Sequence, residues 1–353
     1  KKKKGVRIMA YITFQPSDYF NTKLFTGNGS TNAITGVGFQ PDWVWIKDRA
    51  STEHHNFFDA VRGATKRIYS SSTAAQDTAA TTLTAFNTDG FTLGSSAAVN
   101  ASGNNTVSWN WKAGGAGSSN TDGSINSTVS ANTTSGFSIV KYGDSTGTQT
   151  VGHGLGSDVK VLIIKNLTST NNWHVWHTGI PTSAIHLNES GAKTDSWFAT
   201  YQNSTAPTSS VFTVKSGGGD DALGSSKDYI AYCFAEKKGF SKFGSYTGNG
   251  STDGPFIFCG FKPAWVLYKV ASGTTNDWTL LDNKRDSFNV AGKRLYPNNT
   301  GAESEAARVD FTANGFKLRG DGTDMNGSGN TYIYMAFAEE PLVSSNNIPS
   351  TAR

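Results

Sequence analysis

Cysteine is almost missing from this chain: Cys233 and Cys259 are the only two among 353 residues. That excludes a disulfide framework of the kind that staples small secreted domains, and neither cysteine stands in a CxxC spacing. The pair could form one bridge at most, and two plain thiols are expected. Charge is scarce too, at 16% of residues. The polar remainder is mainly Ser, Thr, Asn and Gly, which favour turns and β structure over helices. No apolar run approaches the roughly 20 residues that a membrane-spanning helix needs, and no hydrophobic signal core follows the first residues. What is present is apolar and aromatic: 36% hydrophobic residues and 12% aromatic ones, more than a disordered chain carries.

The formal net charge of +4 rests on one end of the chain. Lys1, Lys2, Lys3, Lys4 and Arg7 lie in KKKKGVRIM (1–9), whose codons can spell a purine-rich ribosome-binding site ahead of a start codon. Met9 is therefore expected to be the first natural residue, and 1–8 a translated leader. Without those five side chains, 26 basic residues face 27 acidic ones. Composition then gives no electrostatic case for nucleic-acid binding.

Internal repetition is the strongest signal. LFTGNGSTNAITGVGFQPDWVWIK (24–47) returns as SYTGNGSTDGPFIFCGFKPAWVLYK (245–269), with a diverged copy, KYGDSTGTQTVGHGLGSDVKVLIIK, at 141–165. GATKRIYSSST (63–73) matches VAGKRLYPNNT (290–300), and upstream Asp59-x-x-Arg62 matches Asp282-x-x-Arg285; the middle copy has His177 and SAIHL instead. Each copy closes on TDGFTL, SSVFTV or ANGFKL and then TVSWNWKA (106–113), YIAYCFAE (229–236) or YIYMAFAE (332–339). Aligned on Trp111, Phe234 and Phe337, the alternate positions are Val107/Ile230/Ile333 and Trp109/Tyr232/Met335, a period of two with one apolar face: a strand.

The expected fold is all-β: three tandem β-sandwich repeats, jelly-roll or lectin-like, at 10–115, 126–238 and 239–341. A Gly/Ser linker (116–125), flexible or turn-like, separates the first two. The shorter Lys237-Lys238-Gly239 junction should hold the second and third more tightly, and a flexible tail (342–353) ends the chain. Asn-Gly pairs at Asn28, Asn249, Asn314 and Asn326 suit left-handed turns, and short helical turns would fit 303–307 and 73–80. In WVWIK, VLIIK and WVLYK both alternating faces are apolar, so this strand should be central and covered on both sides, by a loop, a neighbouring repeat or another subunit.

Candidate chemistry is sparse. His174 and His177, three apart on a strand, point to opposite faces, and no metal or cofactor is expected from them or from His54, His55, His153 and His186. DGTDMNGSGN (321–330) alternates oxygen side chains as a calcium loop does, but Met335 stands where an EF-hand counted from Asp324 needs Glu; a polar hairpin turn is expected, as at Asp220-Asp221. No carboxylate pair recurs across the repeats, and there is no GxSxG elbow or phosphate loop, so no catalytic residue is assigned. Lys47, Lys165 and Lys269 recur at a strand end and are expected to be solvated. Asp59, Arg62, Asp282 and Arg285 should form ion pairs within a domain or, second, touch a ligand. Trp173, Trp176, Trp197 and Trp278 would stack on sugars if exposed and belong to the core if not.

SDYFNTKLFTGNGST, GVGFQPDWVWIK, FDAVRGATKRIY, TVSWNWKAG, VGHGLG, DYIAYCFAEKKGFSKFGSYTGNG and TYIYMAFAE together resemble a family common in bacteriophages of marine bacteria, labelled as tail or virion proteins or as domains of unknown function. The resemblance covers nearly all of 9–353, and a Met-Ala-Tyr start also fits it. It implies a β-rich virion component, tail-fibre or particle-surface, with no catalytic residues to carry over. The expected function is a non-catalytic virion structural protein, assembled in the bacterial host cytoplasm, that attaches to a host glycan or receptor and contacts other virion proteins, with repetition adding avidity. An architectural capsid-decoration or tail-associated subunit is the alternative, and a polysaccharide-degrading tail spike ranks below it. A homo-oligomer would suit a fibre; nucleic acid and membrane insertion are not expected. A receptor binder should expose a shallow aromatic groove, whereas an architectural subunit should bury its aromatic faces against neighbours.

Overall fold

The computed structural model describes residues 12–217, 221–341 and 343; residues 1–8 and Met9, Asp220, and 342 and 344–353 of the expected tail lie outside them. The all-β expectation holds. A 3-10 turn (Pro16–Asp18) leads into the first repeat: β1 (Phe20–Thr26), β2 (Asn32–Thr35), β3 (Trp43–Asp48), β4 (Asn56–Asp59), β5 (Lys66–Tyr69), β6 (Asp77–Thr78), β7 (Leu83–Asn87), β8 (Gly90–Leu93), helix α1 (Ala97–Asn100) and β9 (Asn105–Trp111). The second holds β10 (Ser118–Asn120), β11 (Ser127–Asn132), β12 (Phe137–Gly143), β13 (Thr148–Gly152), β14 (Val159–Asn166), β15 (His174–His177), β16 (Ala184–His186), helix α2 (Asp195–Gln202), β17 (Val211–Lys215) and β18 (Asp228–Ala235). The third holds β19 (Ser241–Thr247), β20 (Phe256–Phe258), β21 (Phe261–Val270), β22 (Thr279–Asp282), β23 (Ala291–Arg294), β24 (Ser304–Thr312), β25 (Gly315–Leu318) and β26 (Thr331–Pro341).

Each repeat supplies two sheets: β1-β9-β3-β4-β5-β6 with β2-β8-β7, β10-β11-β12-β18-β14-β15-β16 with β13-β17, and β19-β26-β21-β22 with β20-β25-β24-β23. An antiparallel four-strand kernel recurs, and its registers set the repeats position against position. Trp111 pairs with Phe20 and Trp43, Phe234 with Phe137 and Val161, and Phe337 with Ser241 and Trp265. The strand with two apolar faces is internal to its sheet each time, as β3, β14 and β21.

Its two faces go to different places. Val44 and Ile46 join Phe58, Leu83, Phe91 and Leu93 in a cluster between the large and small sheets of the first repeat, and the second and third repeats have equivalent clusters. Trp43 and Trp45 point the other way, into a fourth cluster built by all three repeats. There Trp43 stacks on Tyr232 of the second repeat (centroids 4.6 Å apart), Phe20 stacks on Phe337 of the third (5.3 Å), and Phe234 meets Phe337 (5.9 Å). The second cover of the strand is thus a neighbouring repeat. Burying so many large rings is the main force joining the repeats, since each fully buried large apolar side chain contributes about 1.5–3 kcal/mol.

Three local expectations are corrected. The 116–125 linker is not free chain: β10 pairs with β11, and just before it the backbone N–H of Ala113 and Gly114 donate to Asp42 Oδ2 and Ser130 Oγ. Residues 304–312 form β24 rather than a helical turn, because pairing with β25 outweighs the helix propensity of the ESEAA stretch; 73–80 holds the short strand β6. Of the four Asn-Gly pairs, those at Asn28 and Asn249 do supply left-handed residues, Gly29 and Gly250 (φ +68° and +65°), whereas neither member of the pairs at Asn314 and Asn326 is left-handed. Asn28 and Asn249 instead accept from Ser30 and Ser251 N–H and from the amides of Asn100 and Asn326.

Candidate functional site

The polar residues singled out by the sequence lie at the boundaries between repeats. Asp59 ends β4, pairs with Arg62 at 2.5 Å and accepts from the Tyr232 hydroxyl of the second repeat at 2.8 Å. Asp282, at the equivalent register position, pairs with Arg285 at 2.6 Å and accepts from the Trp109 indole of the first repeat at 3.0 Å. His177 occupies that position in the second repeat, and its Nε2 bonds the Tyr334 carbonyl of the third at 3.0 Å. The contacts therefore run in a ring, first to second, second to third, third to first. The expected ion pairs within a domain are present, and all four charged side chains are 0–1% exposed, so the second expectation, contact with an external ligand, is corrected: besides pairing, the carboxylates couple repeats.

The tryptophans follow the same logic. Trp173 and Trp278 are buried, and each spans a boundary: Trp173 Nε1 donates to Tyr69 O at 2.8 Å and Trp278 Nε1 to His186 O at 2.9 Å. Trp176 is buried with its indole on Pro181 O. None of these three offers a ring to a sugar. Trp197 is half-buried on α2 and stacked on His186 at 3.7 Å.

The recurring lysines are not solvated. Lys47, Lys165 and Lys269 are buried. Lys165 donates to Thr73 O across the first boundary, Lys269 to Ser190 O across the second, and Lys47 to Asp48 O and Ser51 O. Burial pushes Lys47 down to about 8 and Lys269 down to about 7. Cys233 and Cys259 are free and buried. Asp324 of the calcium-like stretch is held by Arg308 (3.0 Å) and Arg294 (3.7 Å), and Asp221 accepts from the Tyr229 hydroxyl.

With the boundaries filled by the chain itself, exposed apolar side chains are what remains for a partner, and these were not anticipated. Among the described residues the exposed large hydrophobics are Phe256 (46%), Phe258 (57%), Phe288 (79%) and Val290 (40%), all in the third repeat. Ile257 points into the core, so its neighbours Phe256 and Phe258 face outward from edge strand β20. Across the sheet Phe256 pairs with Lys317 and Lys317 with Asp310, while Phe258 pairs with Gly315 and Gly315 with Thr312. Lys317 and Asp310 also alternate with core residues, and Asp310 holds Arg319 at 2.5 Å. At the far edge the Asn289 side-chain amide bonds both the N–H and the carbonyl of Phe311, which fixes Phe288 and Val290 beside β24. Three strand spacings, about 14 Å, separate the two apolar margins.

This face belongs to one repeat only. Ile34, Val151 and Ile257 are equivalent, each paired with the Phe of the TDGFTL-type motif. Their flanking residues are Ala33 and Thr35, Thr150 and Gly152, and Phe256 and Phe258. Phe288 and Val290 sit between Arg285 and Lys293, where the third repeat has four more residues than the first has between Arg62 and Lys66. Comparing the repeats for their differences was the signal that could have found this face.

A family model described as a domain of unknown function (DUF7483) matches residues 15–341. The chain belongs to that family, and the match runs through all three repeats. No curated protein and no solved structure matches the chain.

Proposed function

We propose that the chain is a non-catalytic component of a bacteriophage particle surface, tail-fibre or equivalent, that attaches the particle to a host-surface glycan through the outer sheet of its third repeat. The observation that carries this reading is the segregation of exposed rings. The aromatic side chains of the three-repeat core are spent on one another, while Phe256, Phe258 and Phe288 stand out from a single sheet. A pyranose ring has apolar C–H faces and hydroxyl edges. Aromatic margins flanking Lys317, Asp310 and Arg319 offer stacking and hydrogen bonding together, the mixture that orients a polar ligand on an apolar base. The phage setting rests on the resemblance of the repeated motifs to virion proteins.

The architectural reading draws on the same face, since exposed rings also fit a neighbouring virion protein. The test is a glycan array with host-cell binding, run after light scattering has fixed the oligomeric state. Saturable binding lost in a Phe256→Ser/Phe258→Ser variant supports attachment. Absence of binding, with tight association to capsid or tail proteins, transfers the face to the architectural role.

A further inference from the structure

The space beside β22 and the end of β23 is filled by the chain in two repeats and open in the third. Asn56, His174 and Thr279 are equivalent, paired respectively with Ile46, Ile164 and Tyr268. In the second repeat α2 fills the space: Gln202 Oε1 bonds His174 Nε2 at 2.8 Å, and Tyr201 packs on the same ring at 4.4 Å. In the first, Asn56 is held by the carbonyls of His54 and Ala98, and Asp77 takes both Arg67 and the Tyr69 hydroxyl. In the third repeat a cavity of about 310 Å³ lies there, lined by Asp277, Thr279, Tyr296, Arg308 and Asp324 among others. Asp324 has no counterpart in the first repeat. Counting back from the equivalent Asn100 and Asn326, which bond matching partners, Ala98 stands at its place.

The wall of this cavity holds unused hydrogen-bonding capacity. Of the lining groups, the Thr279 hydroxyl is buried with no hydrogen-bond partner beyond the Tyr268 hydroxyl behind it, and the Arg308 Nε–H is buried without an acceptor, as is that of Arg294 behind Asp324. Buried polar groups are ordinarily satisfied by protein or by water, so these groups are free to bond water or a ligand that enters the cavity. Asp277 is held in place by the amides of Asn298 and Asn299, which leaves lone pairs on a carboxylate that has about four acceptor sites. The charges balance once Arg294, which stands behind the lining and pairs with Asp324 at 3.7 Å, is counted with Arg308 against Asp277 and Asp324. Lys269, the further cation acting on Asp277, directs its ammonium to Ser190 O and Val270 O.

We propose that this cavity binds a neutral polyhydroxylated ligand of monosaccharide size, with Asp277 accepting from its hydroxyls, Arg308 and Thr279 bonding its oxygens, and the Tyr296 ring forming one wall. Charge balance disfavours an anion or a cation, because either would leave a desolvated charge without a counterpart. The site is separate from the β20 face and does not depend on the attachment reading.

The test is saturation-transfer NMR and calorimetric titration of the full chain with glucose, galactose, mannose and N-acetylglucosamine. Glucuronic acid and inorganic phosphate serve as charged comparators. The expected result is saturable binding of at least one neutral sugar, weakened at least tenfold by Asp277→Ala and by Thr279→Val, and unchanged in Phe256→Ser/Phe258→Ser. Thr279→Val keeps shape and volume, so it reports on the site even if Asp277→Ala fails to fold. Binding of none of the neutral sugars by folded protein, binding only of the charged comparators, or binding indifferent to both cavity variants overturns the proposal. Glycan-array binding that persists in Phe256→Ser/Phe258→Ser, with the cavity titration intact, would count against the β20 face alone.

Discussion

The Tyr232 hydroxyl donates to Asp59 Oδ2 at 2.8 Å across the boundary between the first and second repeats. Asp59 lies at the end of β4, where the same oxygen also takes Arg62. Removing the two partners should have unequal effects. Tyr232→Phe deletes the bond to Asp59 and a longer one accepted from Arg62 (3.5 Å) but leaves Asp59 and Arg62 paired, and is expected to cost about 1–2 kcal/mol. Asp59→Ala leaves a buried guanidinium without its counter-ion and should cost about 3–5 kcal/mol. Asp282→Ala strands the Trp109 indole but leaves Arg285 its second counter-ion, Glu303 at 3.0 Å, and should cost less than Asp59→Ala. Urea unfolding midpoints of the variants check the order; equal losses for Tyr232→Phe and Asp59→Ala would contradict it.

Acid should weaken the ring through histidine. His177 is neutral in the fold: its Nε2–H donates to Tyr334 O while Nδ1 accepts from Gly179 N–H. Burial pushes its pKa down to about 4, and that of His174 down to about 3. Both folded values lie below the unfolded value near 6.5, so the unfolded chain binds more protons in between. Their stabilising contribution is full above about pH 6.5 and is lost as pH falls through 4. His177→Gln should flatten the decline between pH 6.5 and 4 relative to the parent chain, measured by denaturant midpoints at each pH.

How much of this was legible is best seen in particular residues. The register that places Trp109, Tyr232 and Met335 at one position, and β3, β14 and β21 at the centre of their sheets, follows from period-two patterning. The ring does not, because the partners of Asp59 and Asp282 stand 173 residues away in each case and nothing local names them. The lysines were misjudged for a different reason. Their partners are backbone carbonyls, which leave no mark in a sequence, so Lys165 and Lys269 looked like strand-end charges. Phe256 and Phe258 look like core residues by hydrophobicity; only the Ala33, Thr35, Thr150 and Gly152 of the sister strands betray that they face outward. The cavity in the third repeat was hidden because what differs there is the absence of a plug such as α2.

The buried lysines carry the same rise of stability with pH into the alkaline range. Lys269 at about 7 and Lys47 at about 8 titrate in the fold well below the unfolded value near 10.4. Between those limits the unfolded chain again binds more protons, so stability should rise with pH from about 7 to about 9.5. Above that, tyrosines such as Tyr232, whose burial raises the hydroxyl pKa, oppose the gain. Lys269→Met should be less sensitive to pH across this window than the parent. A parent whose midpoint falls steadily from pH 7 to 9.5 would contradict the assignment.

The shared cluster makes a final prediction about cooperativity. If each repeat were held only by the cluster between its own two sheets, heating would melt three units, each with a van't Hoff enthalpy near 75 kcal/mol at the usual value of about 0.7 kcal/mol per residue. The structure argues for one unit. Trp43, Phe234 and Phe337 come from three repeats into one apolar body, and opening any repeat exposes rings on the other two and strands Asp59, His177 or Asp282 without its partner. Calorimetry of residues 9–353 is therefore expected to give a single transition. Its van't Hoff enthalpy should match the calorimetric enthalpy, which the same per-residue value puts at about 240 kcal/mol. A chain cut after residue 238 should lack a cooperative transition altogether, because it keeps two of the three walls and leaves the cluster open to water. Three resolved transitions, or a cooperative truncated chain, would mean that the boundary contacts are passive.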